Sequence, residues 1–174
     1  MTVFVALLRG VNVGGRASLA MADLRAIAEE CGFIDVRTYV QSGNVVFRGG
    51  GAAQAAGATL RSAIAAATAL DPALAMRTAR QLDAVTGACP FDDTGNVHVT
   101  FQVDGALPPA PSVDADAFAP EAFAVVGRET YLYLPNGMGR SKLTQALNKG
   151  RAGADGTTRN WRTVTKLAEL AAEA

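Results

Sequence analysis

Within its first 78 residues the chain sets out six segments whose order admits few folds. Thr2 to Leu8 is an unbroken apolar run of strand length. Ser18 stands where it can cap a helix from about Leu19 to Cys31, with Leu24, Ile27, Ala28 and Cys31 on one stripe and Gly32 as the stop. Val36 to Gln41 and Asn44 to Arg48 are short strand-like runs, and Ser42-Gly43 between them suits a tight turn with positive φ. An Ala-rich helix from Ala52 to Leu70, weakened near its start by Gly57, precedes an extended Ala73 to Thr78. Strand, helix, strand, strand, helix, strand is the split βαβ order of a ferredoxin-like domain, an antiparallel sheet with two helices on one face.

The rest of the chain continues in the α+β class. A short helix from Arg80 to Gly87 leads through Cys89-Pro90-Phe91 and an acidic turn to a strand from Asn96 to Val103. There Val97, Val99, Phe101 and Val103 alternate with His98, Thr100 and Gln102, so the lone histidine falls on the less apolar face. Leu107 to Pro111 reads as a Pro-rich connection, and Ala122 to Val126 with Thr130 to Leu134 as a second hairpin. Two helices close the reading. Ser141 caps the first and Thr158 the second, whose buried stripe is Trp161, Val164, Leu167, Ala168 and Ala171. The expected division is a ferredoxin-like subdomain over residues 1–78 and a second α+β subdomain over residues 79–174, packed on the first.

Charge is balanced overall but not along the chain. Residues 140–166 hold seven basic side chains against Asp155, while residues 81–135 hold eight acidic ones against Arg128. A basic region of this kind attracts anions without the whole chain being basic. The apolar start is only eight residues long and runs into Arg9, so it is neither a secretory signal nor a membrane span, and the protein is expected in the cytoplasm. Cys31 and Cys89 have no metal-ligand spacing and read as buried thiols.

Four polar clusters sit where elements meet, and three of them carry a basic group. In the first, Arg9, Asn12, Gly14 and Gly15 lie between a buried strand and a helix, where backbone amides and a guanidinium can face an anion. Arg9 must meet a ligand or pair with a carboxylate, for which Asp35 and Glu121 are the candidates. The same string resembles a phosphate loop, but Arg16 and Ala17 replace its Lys and Ser/Thr, and it lacks the Gly-x-Gly-x-x-Gly of a dinucleotide fold. Asn44 ends the hairpin turn. Ser141 and Lys142 open a helix, and Arg159 and Asn160 stand before Trp161 in the last cluster. No cofactor motif is present and no metal site is expected; Asp92, Asp93 and Asp104 read as solvated acids, and Ser42 and His98 lack the setting of a serine triad.

The strings Leu8-Arg9-Gly10-Val11-Asn12-Val13-Gly14-Gly15, Thr38-Tyr39-Val40-Gln41-Ser42-Gly43-Asn44, Ser141-Lys142-Leu143 and Thr157-Thr158-Arg159-Asn160-Trp161 closely resemble a bacterial family, domain of unknown function 1697. The resemblance implies two α+β subdomains, the first ferredoxin-like, and implies no activity. Where members often carry Asn before Pro-Phe, this chain has Cys89, which removes an amide from that position.

Two functions fit these residues. In the first, Arg9, Asn12, Lys142 and Arg159 share a cleft that binds, or acts on, an anionic, phosphorylated small molecule. Nucleic acid ranks behind a small molecule because the net charge is zero and aromatics make up only 6% of the chain. In the second, the chain is a structural or interaction domain whose polar residues fix the junction between subdomains, with Arg9 or Arg159 bonding buried carbonyls. Monomer and homodimer are both compatible with the exposed sheet edges.

Overall fold

The computed structural model describes residues 1–15, 18–103, 113–149 and 155–174; Arg16, Ala17, Asp104, Arg151 and the Leu107–Pro111 connection lie outside them. The first four strands are β1 (Thr2–Leu8), β2 (Ile34–Thr38), β3 (Asn44–Gly49) and β4 (Leu74–Thr78). They form an antiparallel sheet in the order β2-β3-β1-β4, with α1 (Met21–Glu30) and α2 (Ala53–Thr68) in the ferredoxin-like connections. Phe4, Ala6 and Leu8 of β1, with Val45 and Phe47 of β3, pack against Leu24 and Ile27 of α1 and Leu60 and Ile64 of α2.

A second antiparallel sheet follows from β5 (Val97–Gln102), β6 (Ala122–Val126), β7 (Glu129–Tyr133) and β8 (Gly156–Asn160), in the order β6-β7-β5-β8. This repeats the first order strand for strand: in each sheet the first strand is central and is flanked by the third and fourth. Each fourth strand also runs directly into a helix, β4 into α3 (Ala79–Gly87) and β8 into α5 (Trp161–Ala172). Leu82 and Val85 of α3 and Val164, Leu167 and Ala171 of α5 fill a middle layer with Val5, Leu7 and Val46 of the first sheet and Val97, Val99 and Phe101 of the second. The outer face of the second sheet carries only a small cluster, Leu132 and Leu134 with Leu143 of the seven-residue α4 (Lys142–Asn148).

Cys31 and Cys89, expected as buried thiols, are half-buried, as are Trp161 and Ala168 of the expected buried stripe. Three further local expectations differ from the structure. Helix α1 starts at Met21 after Ala20, which makes no side-chain cap, because Asn12 rather than Ser18 meets the backbone there. The β2–β3 connection is longer than the two-residue turn expected from Ser42-Gly43: β2 ends at Thr38, and Val40 as well as Gly43 takes positive φ. Residues Gly156–Asn160, expected as a loop with Thr158 capping a helix, form β8, and the cap is Asn160, whose Oδ1 accepts from Thr163 N at 2.9 Å.

Candidate functional site

Most of the polar residues singled out in the sequence bond to the chain itself. Arg159 is 7% exposed. Its Nε donates to Asn44 Oδ1 at 2.6 Å, Nη1 to Thr157 Oγ1 at 2.7 Å and Thr158 O at 2.9 Å, and Nη2 to Leu8 O at 2.8 Å and Ser42 O at 2.9 Å. Its partners are all neutral, and burial pulls its pKa down to about 10. Asn44, fully buried, holds the hairpin by donating to Tyr39 O and Ser42 Oγ, both at 2.9 Å. Asn12 donates to Leu19 O and Gln41 O and accepts from Leu19 N, which fastens the loop after β1 to the hairpin. A Cβ on Gly43 would fall on Val11 Cγ2 and lie 2.8 Å from Leu8 Cβ, at a φ of +78°, so only glycine fits where these segments cross. Three of the four sequence motifs therefore meet in one junction.

The helix start expected to receive an anion is already filled. Ser141 Oγ accepts from Thr144 N at 3.0 Å and donates to Glu121 Oε2 at 3.2 Å, and the same carboxylate oxygen accepts from Leu143 N at 2.9 Å. Lys142 points away along a separate cleft that it lines with Glu121, Asn136 and Arg140. Gly14 and Gly15 lie in the exposed loop after β1 at φ +64° and +71°. The four residues expected to share a cleft are thus distributed: Arg159 and Asn12 in the junction, Lys142 beside α4, and Arg9 in a pocket of its own.

Neither carboxylate considered for Arg9 reaches it, since Asp35 pairs with Arg48 at 3.4 Å and Glu121 serves α4. Among the described residues its side chain makes no hydrogen bond or ion pair. It lines a pocket of about 300 Å³ on the outer face of the second sheet, beneath α4. The floor is a row of threonines, Thr130 of β7, Thr100 of β5 and Thr158 of β8, which stand opposite one another in register. Thr100 Oγ1 and Thr158 Oγ1 share a hydrogen bond of 2.8 Å. Beyond them lies Gln102, paired with Gly156. A Cβ at Gly156 would come within 2.6 Å of Thr100 Cγ2, so the missing side chain makes room for the threonine methyl on the floor. Thr130 and Gln102 are 5% and 3% exposed, yet among the described residues Thr130 Oγ1 and Gln102 Oε1 have no partner. Buried polar atoms in that state are costly and uncommon in a finished core.

The repeat of the fold makes the polarity of this floor conspicuous. In the first sheet the matching row is Val45, Ala6 and Met76, with Leu8 and Leu74 at the places of Gln102 and Gly156. All five are buried apolar residues under α1 and α2. The same sheet positions carry hydroxyls and an amide in the second half, where α4 leaves them a cavity. Of the threonines that build this floor, Thr158 is expected from the sequence as a helix cap in a polar cluster, while Thr100 and Thr130 were not recognised, because each belongs to a different strand and only Thr100 showed its face through alternation. His98 sits on the same outer face, half-buried, and burial lowers its pKa against a smaller opposing effect of the Asn96 backbone. Asp93 Oδ2 accepts from Asn96 Nδ2 at 2.8 Å and Tyr133 OH at 3.2 Å, so it braces a turn.

Among the described residues no helix is long and apolar enough to cross a membrane. The solved structure of a conserved bacterial protein, SP0830 from Streptococcus pneumoniae, superposes with a TM-score of 0.78 at 20% sequence identity, covering 98% of each chain, which shows a shared fold. None of the curated proteins compared with the chain matches it significantly. The model of the family described as "Protein of unknown function (DUF1697)" matches residues 1–131, the two motifs quoted from the first half among them, and the chain belongs to that family.

Proposed function

We propose that the protein binds a small molecule with an anionic group in the pocket on the outer face of the second sheet, with Arg9 as the partner of the anion. One observation carries this reading: the pocket floor is polar at the positions where the repeated first sheet is apolar core. An unpaired guanidinium at the wall supplies two parallel donors to a carboxylate or phosphate. The pocket, at about 300 Å³, is at the small end of the range of roughly 300–1,000 Å³ in which ligand sites fall.

The structural reading applies to the other motif residues. Arg159 and Asn44 hold the junction between the two sheets and Asn12 the adjoining loop, and their bonds leave little for a ligand. In this reading the chain divides into subdomains at residues 1–78 and 79–174, with α3 opening the second and lying in the layer both share. The free thiols of Cys31 and Cys89 support a place in the cytoplasm.

Calorimetric titration of wild type and Arg9→Ala with carboxylates, sugar phosphates and nucleotides tests the site. A true ligand at 100 times its dissociation constant stabilises the wild type by about 2.7 kcal/mol. Arg9→Ala loses at least tenfold in affinity while its unliganded stability stays within about 0.5 kcal/mol of wild type. An Arg9→Ala variant that fails to fold would instead assign Arg9 to the scaffold.

A further inference from the structure

We propose that the ligand of this pocket is zwitterionic, a free α-amino acid with an apolar side chain; the inference rests on the binding site proposed above and names what it takes. Among the described residues the lining carries one cation, Arg9, and one anion, Asp155, and neither has an ion-pair partner. They face one cavity without neutralising each other. A doubly charged phosphate would meet Arg9 favourably and Asp155 unfavourably, whereas an amino acid presents a carboxylate to the first and an ammonium to the second.

One of the unfilled acceptors, Gln102 Oε1, lies at the Asp155 end. Asp155 precedes Gly156, which pairs with Gln102, and its carbonyl accepts from Val103 N at 2.7 Å, so Asp155 and Gln102 share one end of the β5–β8 ladder. Thr130 stands opposite Thr100, two residues before Gln102. An ammonium has three donors and no acceptor, which matches a carboxylate and an amide oxygen that has no donor among the described residues. A guanidinium has only donors and answers the carboxylate. Phe123, Leu132, Met138 and Leu147 line the same pocket and give the side chain of the ligand an apolar wall.

Titration calorimetry with L-leucine, L-phenylalanine, N-acetyl-L-phenylalanine, phenethylamine and glucose 6-phosphate, on wild type, Arg9→Ala and Asp155→Asn, decides the matter. The expected result is binding of at least one of the two amino acids, with a tenfold or greater loss when either the amine is acetylated or the carboxylate is missing. Asp155→Asn should weaken the amino acid tenfold and leave the acetylated analogue unchanged. Tighter binding of the acetylated analogue or the sugar phosphate, abolished by Arg9→Ala, would keep the anion site and overturn the zwitterion. No heat from any probe on a folded wild type would overturn both. Among the described residues neither side chain has an internal partner, so equal melting temperatures of the three proteins certify that the comparison is of folded states.

Discussion

Arg77 and Arg159 are counterparts: each is the fourth residue of the five-residue strand that closes its sheet, and each reaches across to the other sheet. Arg77 Nε donates to Glu129 Oε1 and Arg159 Nε to Asn44 Oδ1, both at 2.6 Å, and each acceptor opens the third strand of the opposite sheet. Nη1 of each donates to the preceding carbonyl, Met76 O or Thr158 O. Nη2 of each donates to the last residue of the opposite central strand, Gln102 O or Leu8 O. The middle layer is thus clamped by one guanidinium from each half.

Replacing Arg159 should be among the most damaging single changes in the chain. Arg159→Ala leaves the amide oxygen of Asn44 and the carbonyl of Ser42 without their guanidinium donor, and the carbonyl of Leu8 with Thr157 Oγ1 at 3.3 Å alone. The expected loss is roughly 3–5 kcal/mol, and Arg159→Lys should not restore it, since an ammonium cannot span the fork. Urea unfolding measures both; a lysine variant as stable as wild type would contradict the clamp.

The Arg77–Glu129 pair differs in carrying a compensating charge, with Arg77 2% and Glu129 8% exposed. Either single variant, Arg77→Met or Glu129→Gln, strands a buried charge or its partner and should cost about 3–5 kcal/mol. The double variant should cost less than the sum by more than about 1 kcal/mol. A double-mutant cycle on unfolding free energies reads this coupling directly, and strict additivity would exclude it.

Tyr131 sets an alkaline limit on stability. Its hydroxyl donates to Val85 O at 2.7 Å, and burial, followed by the charge of Glu129, pushes its pKa up to about 12 from an ordinary 10. Below pH 10 the proton is on in both states and the contribution is complete; between pH 10 and 12 the unfolded chain releases it first, so stability falls as pH rises. Tyr131→Phe should lose about 1 kcal/mol at pH 7 with the hydrogen bond, yet decline less steeply above pH 10. Urea midpoints at pH 7, 10 and 11.5 give both comparisons, and parallel declines would refute the assignment.

Thr130→Val should exchange function for stability. It removes a buried hydroxyl with no partner among the described residues and keeps the shape, so the unliganded protein should gain up to about 1 kcal/mol. Ligand affinity should fall in the same variant. Melting temperature and titration calorimetry on one preparation test the trade, and a destabilised variant would show that the hydroxyl has a structural partner.

What was legible in the sequence followed from periodicity and caps. The apolar run of β1, the alternation of β5 and Ser141 at the start of α4 declared themselves through side chains that share one local rule. Strand β8 did not, because its inward residues are Thr157 and Arg159, buried for their hydrogen bonds rather than their apolarity. The repeat was equally hidden. Matched positions such as Ala6 and Thr100, Met76 and Thr158, or Asn44 and Glu129 preserve the register of the sheets while changing the chemistry, and Arg77 with Arg159 is one of the few identities left. Arg9 could be singled out as a charge at the end of a buried strand, but its neighbours in the pocket come from strands remote in sequence. Ser141 was readable as a cap, whereas the carboxylate that fills the helix start comes from Glu121, twenty residues upstream.

The matching of the two halves bears on how such a site can arise. A single unit pairing with an identical copy of itself would have to present one sequence on both of its outer surfaces, so any residue recruited for recognition would also be imposed on the partner's core. Carried on one polypeptide, the two surfaces are free to diverge. Here one has stayed sealed by Val45, Ala6 and Met76 beneath two long helices, and the other has opened over Thr130, Thr100 and Thr158.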